Sequence, residues 1–203
     1  MSGERQDQRR REIEAAAFAL LAEKGYRSTS MLQVARRAGA SNQTLYAWYG
    51  HKQGLFRSLI AENGAAAKAL LREALAGARA PLEALRALGP VLLGFTTSEA
   101  AIIMNRAAIA DASDTGLLGA AIDEGARAEI VALTEEVMRR LVATGAFRAD
   151  TEPAEAAEAY LSLLLGEVQL RQALGRLGPL DAEAIAARAE RAFAATCRLY
   201  AAA

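Results

Sequence analysis

The chain has little of what most chemistry requires. Among its 203 residues there is one cysteine, Cys197, and one histidine, His51. A lone cysteine excludes an intramolecular disulfide framework. Its apolar neighbours mark Cys197 as a packing residue rather than a redox sensor. A lone histidine excludes a His-based metal cluster, and any Ser–His pair would have to use His51. No phosphate-cradling glycine loop and no zinc-spaced cysteine set occurs. The pairs Asp123–Glu124 and Glu135–Glu136 read as solvated helix faces rather than acid/base dyads. No catalytic residue, no metal and no cofactor is therefore expected.

Long apolar runs are also missing. The run "LSLLLG" stops at Gly166–Glu167, far short of a membrane span. The opening "MSGERQDQRRRE" is polar and lacks the apolar core of a signal peptide. A soluble, cytoplasmic protein without a membrane partner is expected. There is no excess charge of either sign: 24 Lys and Arg face 24 Asp and Glu. A uniformly basic nucleic-acid binder is thereby disfavoured, but the distribution is uneven. Residues 1–63 hold ten basic and six acidic side chains, 10 − 6 = +4, and residues 64–203 hold fourteen and eighteen, 14 − 18 = −4. A basic front and an acidic remainder suggest two parts with two partners.

What is present is 53 % hydrophobic residues, heavy in Ala and Leu, with only 4 Pro and few β-branched side chains. These favour helix over strand. An all-α protein follows, and its length suits a small domain followed by a larger one. The first helix is expected from about Gln8 to Lys24. Ile13, Ala16, Ala17, Leu20 and Leu21 share one face, and Gly25 can end it. Ser30-x-x-Gln33 is a capping box in front of a short second helix carrying Met31, Val34 and Ala35. Ser41 is a candidate cap for a third, running to Trp48 or Tyr49. Only Ala38-Gly39-Ala40 separates the last two, a spacing that matches a helix-turn-helix.

The third helix has a polar head and an aromatic tail, an odd composition for either a core or a solvated helix. In a helix-turn-helix the second helix of the motif puts its N-terminal residues against base edges in the major groove. Ser41, Asn42, Gln43 and Thr44 form that turn here. The Tyr46 hydroxyl can reach a phosphate while its ring packs on sugar or a thymine methyl. Lys52, after the Gly50 break, starts the next helix, where a cation and free N–H groups suit a phosphate. Tyr46 and Trp48 as core residues, and Lys52 as a solvated lysine, are the plainer alternatives.

Further along, Leu55, Leu59 and Ile60, then Leu70 and Leu71, form an apolar face. Pro81 can open a helix that Gly89–Pro90 breaks or kinks. Asp111–Gly116 is expected as a loop, and a long helix follows to Gly145. Pro153 lies near the start of a helix over 153–174, and Asp181 can cap the last one, over 181–200. Phe95, Met104, Tyr160 and Leu164 are apolar enough to line a pocket, although core packing explains them more readily.

The spaced elements Ala22-Glu23-Lys24-Gly25-Tyr26, Thr29-Ser30, Ala35-x-x-Ala38-Gly39, Ser41-x-x-Thr44-Leu45-Tyr46 and Tyr49-x-x-Lys52-x-x-Leu55-Phe56 resemble the DNA-binding domain of TetR-type (tetracycline-repressor-like) bacterial regulators. The match covers roughly residues 10–60. Around "MNRAAIADA" and "GAFRADTEPAEAAE" the chain is similar to the AcrR/AefR-like branch. Two departures stand out. His51 occupies the position where the family more often has Ser, Asn, Thr or Asp as the helix cap, and Trp48 one where it often has a smaller residue. The resemblance implies a helix-turn-helix DNA-binding domain over 1–51 and a helical ligand-binding and dimerisation domain over 52–203. It implies DNA contacts at Thr29, Ser30 and Trp48 beside Ser41, Asn42, Gln43, Thr44, Tyr46 and Lys52. It also implies a homodimer through the last two helices, on which Ala156, Ala159, Tyr160 and Leu163, and likewise Ala189, Phe193 and Cys197, lie at helical spacing, and a hydrophobic small-molecule effector. The expected function is a ligand-responsive regulator, a repressor on a palindromic double-stranded DNA operator. The alternatives are an all-helical enzyme or small-molecule carrier with structural N-terminal helices, and an interaction module that has lost DNA binding.

Overall fold

The computed structural model describes residues 2–76 and 80–202. It is all helical apart from one isolated bridge between Phe147 and Ala201. The helices are α1 (Ser2–Lys24), α2 (Met31–Arg37), α3 (Asn42–Tyr49), α4 (Lys52–Ala76), α5 (Pro81–Thr96), α6 (Glu99–Asp111), α7 (Leu117–Ile122), α8 (Ala128–Ala143), α9 (Pro153–Leu165), α10 (Val168–Ala173) and α11 (Ala182–Tyr200). They form two compact units, residues 1–63 with 103–123, and residues 64–102 with 124–203. The side chains of Leu70 and Leu71 lie outside the described residues.

The first unit is built on the apolar face that the sequence marks on α1. Ile13, Ala17, Leu20 and Leu21 are buried, and Val34, Leu45 and Phe56 bring α2, α3 and α4 onto that face. Helix α1 starts at Ser2 rather than near Gln8. Polar, helix-compatible side chains such as Arg9, Glu12, Gln8 and Arg11 pair along its surface and carry the helix beyond its apolar stripe. The segment 103–123 belongs to this unit, with Ile103, Met104 and Leu118 in its core.

In the second unit α5, α8, α9 and α11 pack as a bundle. Leu85, Leu88 and Leu92 form the seam of α5 against Val137, Leu141 and Tyr160. Gly89 sits within that seam, and a Cβ there would lie 2.9 Å from the Tyr160 hydroxyl and 3.0 Å from the Ala189 Cβ. Pro90 does not break α5, which continues to Thr96. Proline removes one helical hydrogen bond, at a cost of about 3 kcal/mol. Burial of Leu88, Leu92 and Leu93 around it, each worth about 1.5–3 kcal/mol, offsets that cost.

Two other expected helices are interrupted. The helix ending at Gly145 is α7 and α8 joined by a π-helical turn, Asp123–Arg127. The helix over 153–174 is α9 and α10, parted at Gly166, whose φ is +47°. Arg188 of α11 occupies that break. Its Nε donates to the Leu164 carbonyl at 2.5 Å and its Nη2 to the Leu165 carbonyl at 3.0 Å, supplying donors to carbonyls that a helix end leaves open. Of the face expected to pair two protomers, Ala156, Tyr160 and Ala189 are buried in their own bundle and Ala159 is half-buried. Helical spacing identifies a stripe but not which partner covers it. Phe193 and Cys197 are half-buried, while Leu163, Leu170, Leu174 and Leu199 are exposed.

Candidate nucleic-acid interface

Short helices leave a large share of their backbone unpaired at both ends, so their caps decide whether they form. Helix α2 has seven residues and opens on Ser30, which is extended at φ −125°. The Gln33 amide donates to the Ser30 Oγ at 3.3 Å, and the Ser30 amide donates to the Gln33 Oε1 at 2.9 Å. This is the reciprocal box that the sequence spacing predicts. The end of α2 is closed by a Schellman turn. The Ala40 amide donates to the Ala35 carbonyl at 2.9 Å and the Gly39 amide to the Arg36 carbonyl at 3.2 Å. Gly39 takes φ +60°, the left-handed geometry such a turn requires.

Helix α3 starts two residues later. The Thr44 amide donates to the Ser41 Oγ at 2.9 Å, and the two hydroxyls share a hydrogen bond of 2.8 Å. Leu45 and Tyr49 are buried, and Trp48 is half-buried edge-on to Tyr49. The opposite face carries Asn42, Gln43 and Tyr46, all exposed. Tyr46 is 50 % exposed. The arrangement is a helix with its apolar side docked and a polar, aromatic edge turned outward.

The remaining sequence candidates divide. Ser30 is exposed at the head of α2. Thr29 is buried, and its hydroxyl donates to the Gly25 carbonyl at 2.9 Å, closing the end of α1. Lys52 points inward. Its ammonium donates to the Tyr26 carbonyl and stands 3.9 Å over the Tyr26 ring. Burial holds the Lys52 pKa below the ordinary lysine value, while Asp111 and Asp114 act the other way. In this geometry the charge serves the α1–α2 turn. His51 does cap α4: the Gly54 amide donates to its Nδ1 at 3.0 Å. That bond requires an unprotonated Nδ1. Of the four pocket candidates, Met104 lies in the core of the first unit, whereas Phe95, Tyr160 and Leu164 belong to the second. The Tyr160 hydroxyl donates to the Leu85 carbonyl at 3.2 Å.

Three contributors are not evident from motif reading. Glu14 is nearly buried and accepts from the Ser58 hydroxyl at 3.0 Å, with the Tyr49 hydroxyl at 3.5 Å. Burial, then Glu14, pushes Tyr49 up to about 12. Asp111 is fully buried and accepts from the Leu118 amide at 3.1 Å and the Thr115 hydroxyl at 2.8 Å, which starts α7. Burial, then Asp111, pushes the neighbouring Tyr26 up to about 12. Arg9 bonds the α2–α3 turn. A glutamate at position 14, inside an otherwise apolar stripe of α1, is the one signal the sequence offers for these.

A small unit with a capped, outward-facing recognition helix defines a helix-turn-helix protein. Residues 13–59 match the family described as bacterial regulatory proteins, tetR family, and residues 83–202 match the AefR-like transcriptional repressor C-terminal domain. The chain belongs to the TetR family of bacterial transcriptional regulators, with a helix-turn-helix DNA-binding domain. It is similar to a TetR-family regulator from Mesorhizobium loti at 25 % identity, over 98 % of this chain and 99 % of that one, with a TM-score of 0.83. It is similar to the flavonoid-responsive regulator FrrA at 26 % identity, over 96 % and 98 % of the two chains, TM-score 0.70. SmeT, solved as a triclosan complex, shares the fold at 20 % identity, over 96 % and 92 %, TM-score 0.78. No curated protein matches in sequence. Among the described residues no single helix is long and apolar enough to cross a membrane.

Proposed function

We propose that this regulator is a repressor that binds a palindromic operator as a homodimer and leaves it when a hydrophobic small molecule binds. The observation that carries the reading is the exposed edge of α3, where Asn42, Gln43 and Tyr46 face outward while Leu45 and Tyr49 anchor the helix. Amide side chains on the first turn suit base edges, asparagine and glutamine pairing with adenine in particular. Residues 1–51 read DNA, with Ser30, Ser41, Asn42, Gln43, Thr44 and Tyr46 at the surface. Residues 52–203 bind the effector and form the dimer. Thr29, Trp48 and Lys52 support the reader from inside.

The exposed Leu163, Leu170, Leu174 and Leu199 favour pairing along the outer sides of α9–α11, and two-fold symmetry makes such a contact self-complementary. A flavonoid-responsive relative and a triclosan complex support an aromatic, hydrophobic effector. The protein works by binding rather than turnover. A gel-shift titration of wild type against Asn42→Ala/Gln43→Ala tests the reading. Loss of about 10-fold or more in operator affinity is expected, the scale of losing base contacts. Unchanged affinity refutes it.

A further inference from the structure

Arg9 lies on α1, outside the helix-turn-helix. Its Nη1 donates to the Ala38 carbonyl at 2.9 Å and to the Glu12 Oε2 at 2.8 Å, and its Nη2 donates to the Gly39 carbonyl. Ala38 and Gly39 are the cap and the left-handed residue of the turn that launches α3. The Schellman bonds use the carbonyls of Ala35 and Arg36, so the next carbonyls of the turn need a donor from elsewhere. A planar guanidinium can bridge two carbonyls at once, whereas an ammonium is a point donor on a flexible stem. Glu12 holds the fork from the other side, and its carboxyl is kept below the ordinary value first by Arg9 and then by Gln8.

We propose that Arg9 is a positioning residue for operator recognition. It sets the pose of α3 by clamping the turn before its cap, and it does not contact phosphate. The proposal rests on α3 being the DNA-reading helix. A misplaced reading helix loses base contacts while nonspecific attraction to the backbone persists. Operator affinity should therefore fall without a matching fall on random DNA. A phosphate contact would behave differently: its removal flattens the salt dependence by about 0.9 in log–log slope and weakens both kinds of DNA together.

The test uses the full chain, an operator selected from genomic fragments by the wild-type protein, and random DNA of equal length. Affinities of wild type, Arg9→Ala and Arg9→Lys are measured across a salt series, together with thermal unfolding. Both variants should lose about 10-fold in the operator-to-random ratio, on the scale of a base contact, at an unchanged salt slope. Full activity of Arg9→Lys would mean that charge suffices and would overturn the proposal. So would a flattened salt slope, a loss equal on both DNAs, or a lowered unfolding midpoint with an unchanged ratio. A wild type that selects no operator would sink the α3 reading itself, and the Arg9 role with it. Should Arg9→Ala fail to fold, Glu12→Gln frees one side of the fork. It should lower the ratio by a smaller factor, and an unchanged ratio would count against the clamp.

Discussion

The two units are held together by different means. The first seats two short helices, α2 and α3, on the longer α1 and the start of α4, and ties helix ends with side chains: Ser30 with Gln33, Ser41 with Thr44, Thr29 on Gly25, His51 on Gly54 and Asp111 on Leu118. The second is a bundle whose helices meet along leucine seams, with Tyr160, Leu88 and Leu141 fully enclosed. For α2 and α3 helix length explains the difference. A helix of seven or eight residues has unpaired groups along most of its backbone, so caps decide its stability. A helix of 16 or 19 residues is governed by the face it buries. A reader of DNA needs the first kind, because a short helix can be presented outward on few apolar contacts.

That contrast can be broken from either side. The largest effect should come from the second unit. Tyr160→Ala removes a fully buried ring and takes the side-chain donor from the Leu85 carbonyl. It should cost about 3–5 kcal/mol in urea unfolding, and a cost under 1 kcal/mol would mean that the bundle is not seam-governed. In the first unit the sharpest point is Gly54, where an added Cβ would lie 2.0 Å from the Tyr49 carbonyl oxygen. Backbone rather than a side chain blocks it, so Gly54→Ala should cost about 1–3 kcal/mol. Ser41→Ala removes one cap and should cost about 1 kcal/mol, with a larger relative effect on operator binding than on unfolding.

Alkaline pH acts on both units more gently, since burial also raises the Tyr160 hydroxyl of the second. Burial raises Tyr26 and Tyr49 from 10.0 to about 12. The unfolded chain therefore ionises these hydroxyls first, and stability present below pH 10 is lost as pH rises toward 12. Replacing both by Phe should lessen that loss in pH-dependent unfolding and leave the share of Tyr160, whereas an unchanged profile would mean that neither hydroxyl is sequestered. The smallest effect is expected at Lys52. Lys52→Met should leave the salt slope of DNA binding unchanged, since the ammonium is committed to the Tyr26 carbonyl and ring. A slope reduced by about 0.9 would restore it as a phosphate ligand.

The same contrast explains what could be read in advance. Caps are local, and the box at Ser30, the cap at Ser41, the Gly39 turn and the Asp181 cap of α11 all follow from residues five apart or fewer. Apolar period located the buried face of α1 and a stripe on α9. What depended on distant partners was not legible. Nothing near Gly166 shows that Arg188 fills the break after α9. Pro90 stays helical because its neighbours Leu88, Leu92 and Leu93 are buried in the bundle. Lys52 is inward because Tyr26, 26 residues away, offers a carbonyl and a ring. The residues displayed on α3 were readable; those that aim it, Arg9 and Glu14, were not, because their partners are supplied by the fold.

The central claim is that the outward edge of α3 reads DNA. Its most direct test is binding of the full chain to the DNA flanking its own gene, across a salt series, beside Asn42→Ala/Gln43→Ala/Tyr46→Phe. The account predicts specific wild-type binding that weakens steeply with salt, and a variant that binds this DNA no better than random sequence. A variant that still prefers the flanking DNA as the wild type does would place recognition elsewhere on the protein and contradict the account.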